Sequence, residues 1–591
     1  SDATVEVAGF PAPITGLNGT VTVSRNSLSS ESLFAEFLGS SVDLSLTRLP
    51  EPDRPHSVVL SGTGSTTADA LQTELGVHFD GVISGDTEYE ATLRFPNARS
   101  SAPGPLQIFV SSDLFGFQAE LPAPLNKSDD EAFPMTAMIE FPERDVITTT
   151  GSLAGEINWT GRFINAPEGW DFDRGVIAVG EYPRQADVRG LHIHGQLGEL
   201  DLNEWLAEGR RGNREIGLGE RIRRIDVGVG SLYAVGQKFT DQRIVVNRSG
   251  QDWVIQIAGP EAEGSITVPY DFTSGRPMTL ELDRLIMLGD DRIEDDRSAA
   301  PIDPRGLPSI SVRAADFALG ERHFGALTVD FDHTGRGLEA ENWIAHHESF
   351  TVEGTAGWIV DPYEASGQRT FINASLKSTN VQATFNELAY DPGVSSDGME
   401  INLDLEWPDA PRQDFMSILN GSVNVQLTAG TVAEVDPGAG RVFGLMSFTA
   451  LPRRLSLDFS DVFQSGFGFD AITGDFRLVN GDAYTCNFTL TGPAADVGIV
   501  GRAGLMTRDY EQVAIVSASV GSTLPVAGFF LGGPQVGAAL LVFSQIFKKP
   551  LKDMGQIFYS VTGSWDDPGI DASDSQRFAA VSRLAGCISE E

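Results

Sequence analysis

The chain has 591 residues, of which 41% are hydrophobic, and its 42 basic and 82 acidic residues give a formal net charge of -40. This hydrophobic content is enough for a large folded core, so we do not expect a disordered chain. The acidic excess repels nucleic acid and anionic lipid headgroups at long range, which argues against a nucleic-acid partner. Two cysteines, Cys486 and Cys587, have no metal or redox spacing, and the sequence alone does not show whether they pair.

Five segments alternate strictly between apolar and polar residues: in chain order, YEATLRFP, LQIFVSSDL, LTVDFDHTG, MEINLDLEW and SVNVQLTAG. A period of two with one apolar face is typical of half-buried antiparallel strands. The alternation therefore predicts a mainly β chain whose strands each turn one apolar face inward. The predicted inward residues are Tyr89, Ala91, Leu93, Phe95, Leu106, Ile108, Val110, Leu327, Val329, Phe331, Met399, Ile401, Leu403, Leu405, Trp407, Val423, Val425 and Leu427.

Turn signals separate these strands, as meandering hairpins require, and the pairs Asn420-Gly421 and Asn480-Gly481 are two of them. Helical signals are scarce and short. They lie within residues 201–210, 380–390, 412–421 and 574–586. The acidic segment from Asp290 to Pro308 predicts an exposed loop or a soft boundary.

The apolar faces of these strands can pack in two ways. In a β-sandwich they pack against each other across a core about 10 Å thick. In the other arrangement a long curved sheet leaves its concave apolar face unfilled by protein, and that face holds an apolar ligand. Periodicity alone does not choose between them.

The sequence contains few motifs for catalysis or metal binding. The sequence has no G-x-S-x-G elbow, no Gly-Lys dipeptide for a phosphate loop and no H-E-x-x-H. His192 and His194 fall on one face of a predicted strand, but two imidazoles without a third ligand favour hydrogen-bonded or solvent-facing histidines over a metal site. We therefore assign no catalytic residue, no metal ligand and no cofactor, and we expect that the chain is not an enzyme.

A long stretch near the end, from Val513 to Phe547, has no charged residue. Pro525 and Gly532-Gly533-Pro534 interrupt it, and the helix that could follow, Pro534 to Phe547, is about 21 Å long, too short for a hydrocarbon core of about 30 Å. The stretch is therefore predicted to be either a plug over the last strands or an interfacial hairpin that touches a membrane. The membrane-contact residues would be Phe529, Phe530, Leu531, Leu540, Leu541 and Phe543.

The segment from Val435 to Thr485 resembles the C-terminal signature of the YhdP branch of the AsmA-like proteins, whose members include TamB and YdbH. The matching motifs are PGAGR, LPRRL, LDFSD, GF and FD, in that order. The segments Val110–Lys127 and Val561–Ile570 resemble two further family patterns. The resemblance covers nearly the whole chain.

The resemblance implies the C-terminal half of a longer, non-enzymatic protein of Gram-negative bacteria. Such proteins are anchored in the inner membrane by an N-terminal helix, which is absent from this chain, and extend through the periplasm as a long twisted antiparallel β-sheet curved into an elongated apolar groove. They carry phospholipids between the inner and outer membranes, with the outer membrane at the C-terminal end. The expected partners are therefore phospholipids and the two membranes, and protein partners are unknown.

On this interpretation the inward strand residues line the lipid groove. The lining residues would be Leu93, Phe95, Ile108, Leu327, Val329, Phe331, Ile401, Leu403, Leu405, Val423, Val425 and Leu427. The chain would divide into two groove segments, an apolar helical tip near the membrane, and a closing strand with its tail. The predicted bounds are 1–300, 301–520, 521–560 and 561–591.

Two other functions compete with lipid transfer. A periplasmic scaffold that assists outer-membrane biogenesis by binding proteins would have a filled interior. A carbohydrate-acting enzyme would need paired carboxylates in an aromatic cleft, and the sequence shows no such cluster.

Overall fold

The chain forms two compact units, Ser1–Pro260 (unit 1) and Glu261–Glu591 (unit 2). The computed structural model describes most of both units. The described residues are 3–5, 13–24, 28–49, 54–75, 82–167, 169–184, 186–205, 221–234, 237–287, 302–390, 393–411, 413–432, 467–493, 495–518, 555–565 and 567–587.

Unit 1 is built from strands that mostly pair with their sequence neighbours. Within its described residues they are β1 (Ala3–Val5), β2 (Ile14–Gly19), β3 (Thr22–Val23), β4 (Leu28–Phe37), β5 (Ser40–Arg48), β6 (His56–Thr67), β7 (Ile83–Pro96), β8 (Leu106–Ser112), β9 (Phe117–Ala119), β10 (Met135–Glu143), β11 (Val146–Leu153), β12 (Ile157–Ala166), β13 (Gly169–Val179), β14 (Gly190–Asp201), β15 (Ile222–Ala234), β16 (Gln237–Ser249) and β17 (Asp252–Ala258). Strand β8 pairs with β10, and β9 pairs with β7. The ladder is antiparallel except for β13–β14 and β14–β15, which are parallel.

Unit 2 repeats this arrangement. Its described strands are β18 (Ala262–Pro269), β19 (Met278–Met287), β20 (Ile310–Leu319), β21 (Arg322–His333), β22 (Gly337–His346), β23 (Phe350–Val360), β24 (Gln368–Ser378), β25 (Val394–Ser396), β26 (Met399–Trp407), β27 (Asn420–Leu427), β28 (Gly430–Val432), β29 (Phe467–Phe469), β30 (Ala471–Val479), β31 (Asp482–Thr491), β32 (Ala495–Gly504), β33 (Asp509–Ala518), β34 (Gly555–Ser564) and β35 (Pro568–Ser573). Strands β25, β28 and β29 form a separate small sheet. The main ladder is antiparallel except for β19–β20.

The predicted fold class is confirmed: the chain is mainly β, with a long sheet of many strands and a few short helices. All five alternating segments lie in strands, and MEINLDLEW coincides with β26. In that strand Met399, Ile401 and Trp407 are buried while Asp404 and Glu406 are exposed, as the period of two predicts.

Three complete α-helices lie among the described residues: α1 (Ala68–Leu75), α2 (Val381–Glu387) and α3 (Ser575–Leu584). Residues 202–205 are helical as well, inside the predicted segment 201–210. The second and third fall inside predicted helical segments, whereas Gln413–Ile418 forms a 3-10 helix. The sequence analysis missed α1, although the hydroxyl of Thr67 accepts a hydrogen bond from the backbone N–H of Ala70, as an N-cap residue does.

One predicted turn is correct and one is wrong. Asn480 and Gly481 both have positive φ and join β30 to β31, as a two-residue hairpin turn requires. Asn420-Gly421 instead begins β27. A Cβ at residue 421 would lie 1.9 Å from the carbonyl oxygen of Asp404, so this glycine allows two strands to approach closely. The proposed bounds at 300, 520 and 560 stay a prediction.

Candidate functional site: the apolar face of the sheet

Strand register aligns one apolar residue from each strand into a row that crosses unit 1 at right angles to the strands. From β4 to β17, each pair of neighbours in this row is directly paired in the ladder. Every position is apolar or glycine: Leu33, Leu44, Gly62, Ala91, Val110, Ala137, Gly151, Trp159, Ile177, Ile193, Ile225, Val246 and Ile255. We call this set the unit 1 row.

The unit 1 row is incompletely covered. Leu33 is buried at its start, and each later member of the row is only half-buried. Ordinary cores bury such residues almost completely. Contiguous apolar surface that stays accessible marks a binding surface in a folded protein.

Unit 2 has a corresponding row from β18 to β30. Its members are paired in the same way and are again apolar or glycine. The unit 2 row consists of Ile266, Leu280, Val312, Val329, Trp343, Gly354, Ala374, Leu403, Val423 and Phe476. Ten strands about 4.8 Å apart extend this row over about 43 Å, nearly three times the thickness of one lipid leaflet's hydrocarbon, about 15 Å.

The predicted groove residues belong to these two apolar faces. Leu93, Phe95 and Ile108 pack together in unit 1. The other nine lie on the apolar face of unit 2, where Ile401 pairs with Val425, Leu403 with Val423 and Met399 with Leu427. Leu327, Val329 and Phe331 join them through β22 to β24.

Burial differs among these residues. The buried ones are Leu93, Ile108, Val329, Ile401, Val423, Val425 and Leu427, and the half-buried ones are Phe95, Leu327, Phe331, Leu403 and Leu405. Burial increases towards the end of unit 2, where Ile472, Phe476 and Phe488 are at most 1% exposed. The apolar face is therefore more open at β18 to β26 than at β30 to β34.

Sequence reasoning missed the second half of the unit 1 row. Ile177, Ile193 and Ile225 come from the three parallel strands β13, β14 and β15. The sequence does carry a strand signal at this point, because Ile193 alternates with His192 and His194. Trp159 was missed as well; it lies over Gly151, where an added Cβ would be 2.0 Å from the indole ring.

The opposite face carries the charge. Arg313 donates to Asp330 at 2.7 Å, Arg369 to Glu406 at 2.9 Å, and Arg243 to Asp226 at 3.1 Å. The hydrogen bond from Arg243 lowers the pKa of Asp226 below its usual value, and the hydrogen bond from Arg313 lowers the pKa of Asp330 in the same way. One face is thus apolar and the other is charged and solvated.

The two histidines of β14 do not form a metal site in the described part of the chain. His194 Nδ1 lies 2.5 Å from Glu181 Oε1, so this imidazole already has a hydrogen-bond partner. No group of three or more His, Cys, Asp or Glu side chains suited to a metal occurs among the described residues.

At the end of unit 2, helix α3 covers the face of the sheet opposite to the unit 2 row, where this opposite face is itself apolar. Phe578 and Val581 of α3 pack on Val500, Val513 and Ile515. The sequence alone does not show whether the two cysteines pair. In the structure a disulfide joins Cys486 of β31 to Cys587, just after α3, and their Cα atoms are 5.4 Å apart. The disulfide fixes α3 to the sheet.

The predicted membrane-contact residues Phe529, Phe530, Leu531, Leu540, Leu541 and Phe543 lie outside the described residues, as does most of the Val435–Thr485 signature. Across the ranges that the structure describes, none of the helices has the length and apolar character needed to cross a bilayer.

A family model described as YhdP protein matches residues 1–570 of the chain. The chain belongs to the YhdP family. The intermembrane phospholipid transporter YhdP of Escherichia coli (strain K12) is 22% identical over 578 residues, which cover 94% of this chain and 44% of the transporter. The chain thus spans less than half the length of this relative. No solved structure gives a significant match.

Membership of the YhdP family confirms the resemblance found in the sequence. The family match begins at residue 1 and ends at residue 570, so it includes both apolar rows and stops before α3. The two rows are therefore part of the region that this chain shares with the YhdP family.

Proposed function

We propose that this chain carries phospholipids between the inner and outer membranes of a Gram-negative bacterium, with the acyl chains moving along the apolar faces of its sheet. The observation that carries the proposal is the half-buried unit 1 row, in which no polar side chain interrupts the path from Leu44 to Ile255. The name of the E. coli relative, an intermembrane phospholipid transporter, supports the same substrate.

Simple energetics explain why such a face is useful. A phospholipid in water exposes on the order of 30 methylenes at about 0.8 kcal/mol each, so an unassisted crossing faces a barrier of about 24 kcal/mol. An apolar row replaces this water contact with protein contact at each step. Because every position of the row is apolar or glycine, the acyl chains would meet no polar side chain along it.

The location follows from the same proposal. The chain would lie in the periplasm, with an inner-membrane anchor that precedes this segment and the outer membrane at its C-terminal end, where it supports outer-membrane lipid homeostasis. The disulfide Cys486–Cys587 supports an oxidising compartment, because such bonds persist in the periplasm and are rare in the cytosol. Membrane contact by residues 529–543 is part of this proposal.

A non-enzymatic scaffold in outer-membrane biogenesis is the second candidate. It is favoured by the closely packed apolar face of β30 to β34, where Phe476, Phe488 and Ile499 are each 1% exposed. A scaffold needs a filled interior and binds no lipid along its length, so lipid loading separates the two functions.

The test is native mass spectrometry of the chain purified without detergent. Transport predicts co-purified phospholipid in the wild type and at least about a fivefold loss in Leu403→Asp, since a carboxylate in the unit 2 row is poorly compatible with acyl chains. Asn402→Asp is the matched control, because this neighbour lies on the charged face and should keep its lipid. A wild-type chain free of lipid would favour the scaffold.

A further inference from the structure

Five arginines gather at one end of the parallel strands of unit 1, in a chain whose net charge is -40. Because β13, β14 and β15 run in the same direction, the starts of β14 and β15 lie together at one edge of the parallel ladder, where Gly190 of β14 pairs with Arg174 of β13. This edge brings together, with the end of β12, what we call the arginine cluster: Arg162, Arg174, Arg189, Arg221 and Arg223.

Two carboxylates sit inside the cluster. Asp173 lies within 3.7 Å of Arg162, 3.6 Å of Arg174 and 3.2 Å of Arg189. Asp171 accepts a hydrogen bond from Arg221 at 2.9 Å. Five guanidinium groups and two carboxylates leave a formal local charge of +3, opposite in sign to the charge of the whole chain.

The carboxylates do not use up the hydrogen-bond donors of the cluster. Arg162 and Arg174 are directly opposite each other in the ladder, an arrangement that repulsion disfavours, and each Nε is too far from Asp173 for a good hydrogen bond. The Nε atom of Arg162 is buried and makes no hydrogen bond among the described residues. Arg223, exposed beside Gly190, has no ion pair within the described ranges.

The cluster reaches the apolar face through Arg221, whereas Arg162 and Arg174 point to the opposite face. The guanidinium of Arg221 lies 5.8 Å from the centre of the Phe172 ring and donates to the Phe172 carbonyl at 3.3 Å. Phe172 packs edge-on against Phe163, with the ring centres 5.5 Å apart. Arg221 therefore links a cationic edge to an aromatic pair on the apolar side of β12 and β13.

We propose that the arginine cluster binds the phosphate of an anionic phospholipid whose acyl chains lie on the adjoining unit 1 row, so that unit 1 prefers anionic over zwitterionic lipids. Guanidinium groups form charge-assisted, bidentate hydrogen bonds with phosphate. The local charge of +3 repels the ammonium of a zwitterionic headgroup. A lipid held by its tails also reaches the cluster despite the acidic field that repels free anions.

The proposal rests on the proposed function, and the experiment separates the two. The full chain is incubated with vesicles of equal parts phosphatidylglycerol and phosphatidylethanolamine with identical acyl chains, then isolated, and its bound lipids are quantified by mass spectrometry. We expect about a threefold excess of phosphatidylglycerol on the wild type. The excess should fall when salt is raised, because salt screens exposed charges.

The variant is Arg189→Gln/Arg223→Gln, which removes two exposed arginines and leaves the inner three in place. Its total bound lipid should be unchanged while the ratio of the two lipids falls to about one. The control Arg313→Gln/Arg336→Gln removes the same charge from ion-paired, similarly exposed positions in unit 2 and should keep the excess.

Calorimetric titration of the wild type with inorganic phosphate distinguishes a lipid site from a free-anion site. Phosphate binding together with a lipid ratio of one would overturn the proposal and leave a soluble anion as the ligand. Bound lipid with no headgroup preference, or a preference that the arginine variant retains, would overturn it as well. Absence of any bound lipid on the wild type would contradict the proposed function itself.

Discussion

Tyr89 places a single buried hydroxyl on the apolar face of unit 1. Its side chain is 7% exposed and packs beside Phe37 and Gly64. The hydroxyl is buried and makes no hydrogen bond with any described residue, and this burial raises the pKa of Tyr89 to about 12. A buried hydroxyl without a partner destabilises the fold by about 1 kcal/mol or more.

We therefore expect Tyr89→Phe to raise the free energy of unfolding by about 1 kcal/mol at neutral pH, measured by urea denaturation. Tyrosine is neutral when protonated, so a raised folded-state pKa means that stability is present below pH 10 and is lost as the pH rises towards 12. The variant should lack this alkaline loss. A less stable variant with the same alkaline profile as the wild type would contradict the assignment.

Individual residues of the apolar face were predictable where alternation was strict. Leu403 and Val425 lie on the apolar face as the period of two requires. Gly151 and Trp159 could not be predicted in this way, because a glycine interrupts the alternation of apolar side chains. In the structure this glycine makes room for the indole of Trp159. Arg162 and Arg174 gave no signal either, since their pairing depends on the register between β12 and β13.

At the scale of elements, helix α3 is held to the end of unit 2 both by its buried apolar side chains and by the disulfide Cys486–Cys587. The disulfide joins residues 101 positions apart, and Phe578 of α3 is fully buried. A cross-link over about 100 residues reduces the entropy of the unfolded chain by an amount that corresponds to about 5 kcal/mol in the chain-entropy treatment.

We expect Cys486→Ser/Cys587→Ser to lower the free energy of unfolding of unit 2 by about 2 to 4 kcal/mol, measured by urea denaturation of the full chain. Reduction of the wild type should have the same effect, while the reductant should leave the double variant unchanged. The control Asn402→Asp keeps the bond and should keep the wild-type denaturation midpoint. An unchanged midpoint in the cysteine variant would show that α3 does not depend on the bond.

Elements differed in how well the sequence predicted them. Strands such as β26 were predictable because one face is apolar and the other charged, whereas the parallel pairs β13–β14, β14–β15 and β19–β20 have no signature in local periodicity. Asn480-Gly481 forms the predicted turn, yet Asn420-Gly421 lies in a strand, since the same dipeptide also suits close strand approach.

At the scale of the whole molecule, each unit has an apolar row on one face and acidic, solvated residues on the other. The formal net charge of -40 repels free anions. Under the proposed function, affinity for a lipid therefore comes from the apolar rows, with the arginine cluster as a local exception. The sequence predicted the division into faces but not the rows themselves, because a row exists only once register is fixed.

The most direct test of the account is photo-crosslinking inside living cells. A photoreactive amino acid is placed at Ile193, Leu280 or Leu403 on the apolar rows, or at the opposite-face controls His192, Glu281 or Asn402, and the purified chain is examined for covalently attached phospholipid. We predict phospholipid adducts at all three row positions and none at the controls, because the proposed transport moves acyl chains along the length of each row. Adducts confined to one row position, or equal at row and control positions, would contradict transport along the apolar face.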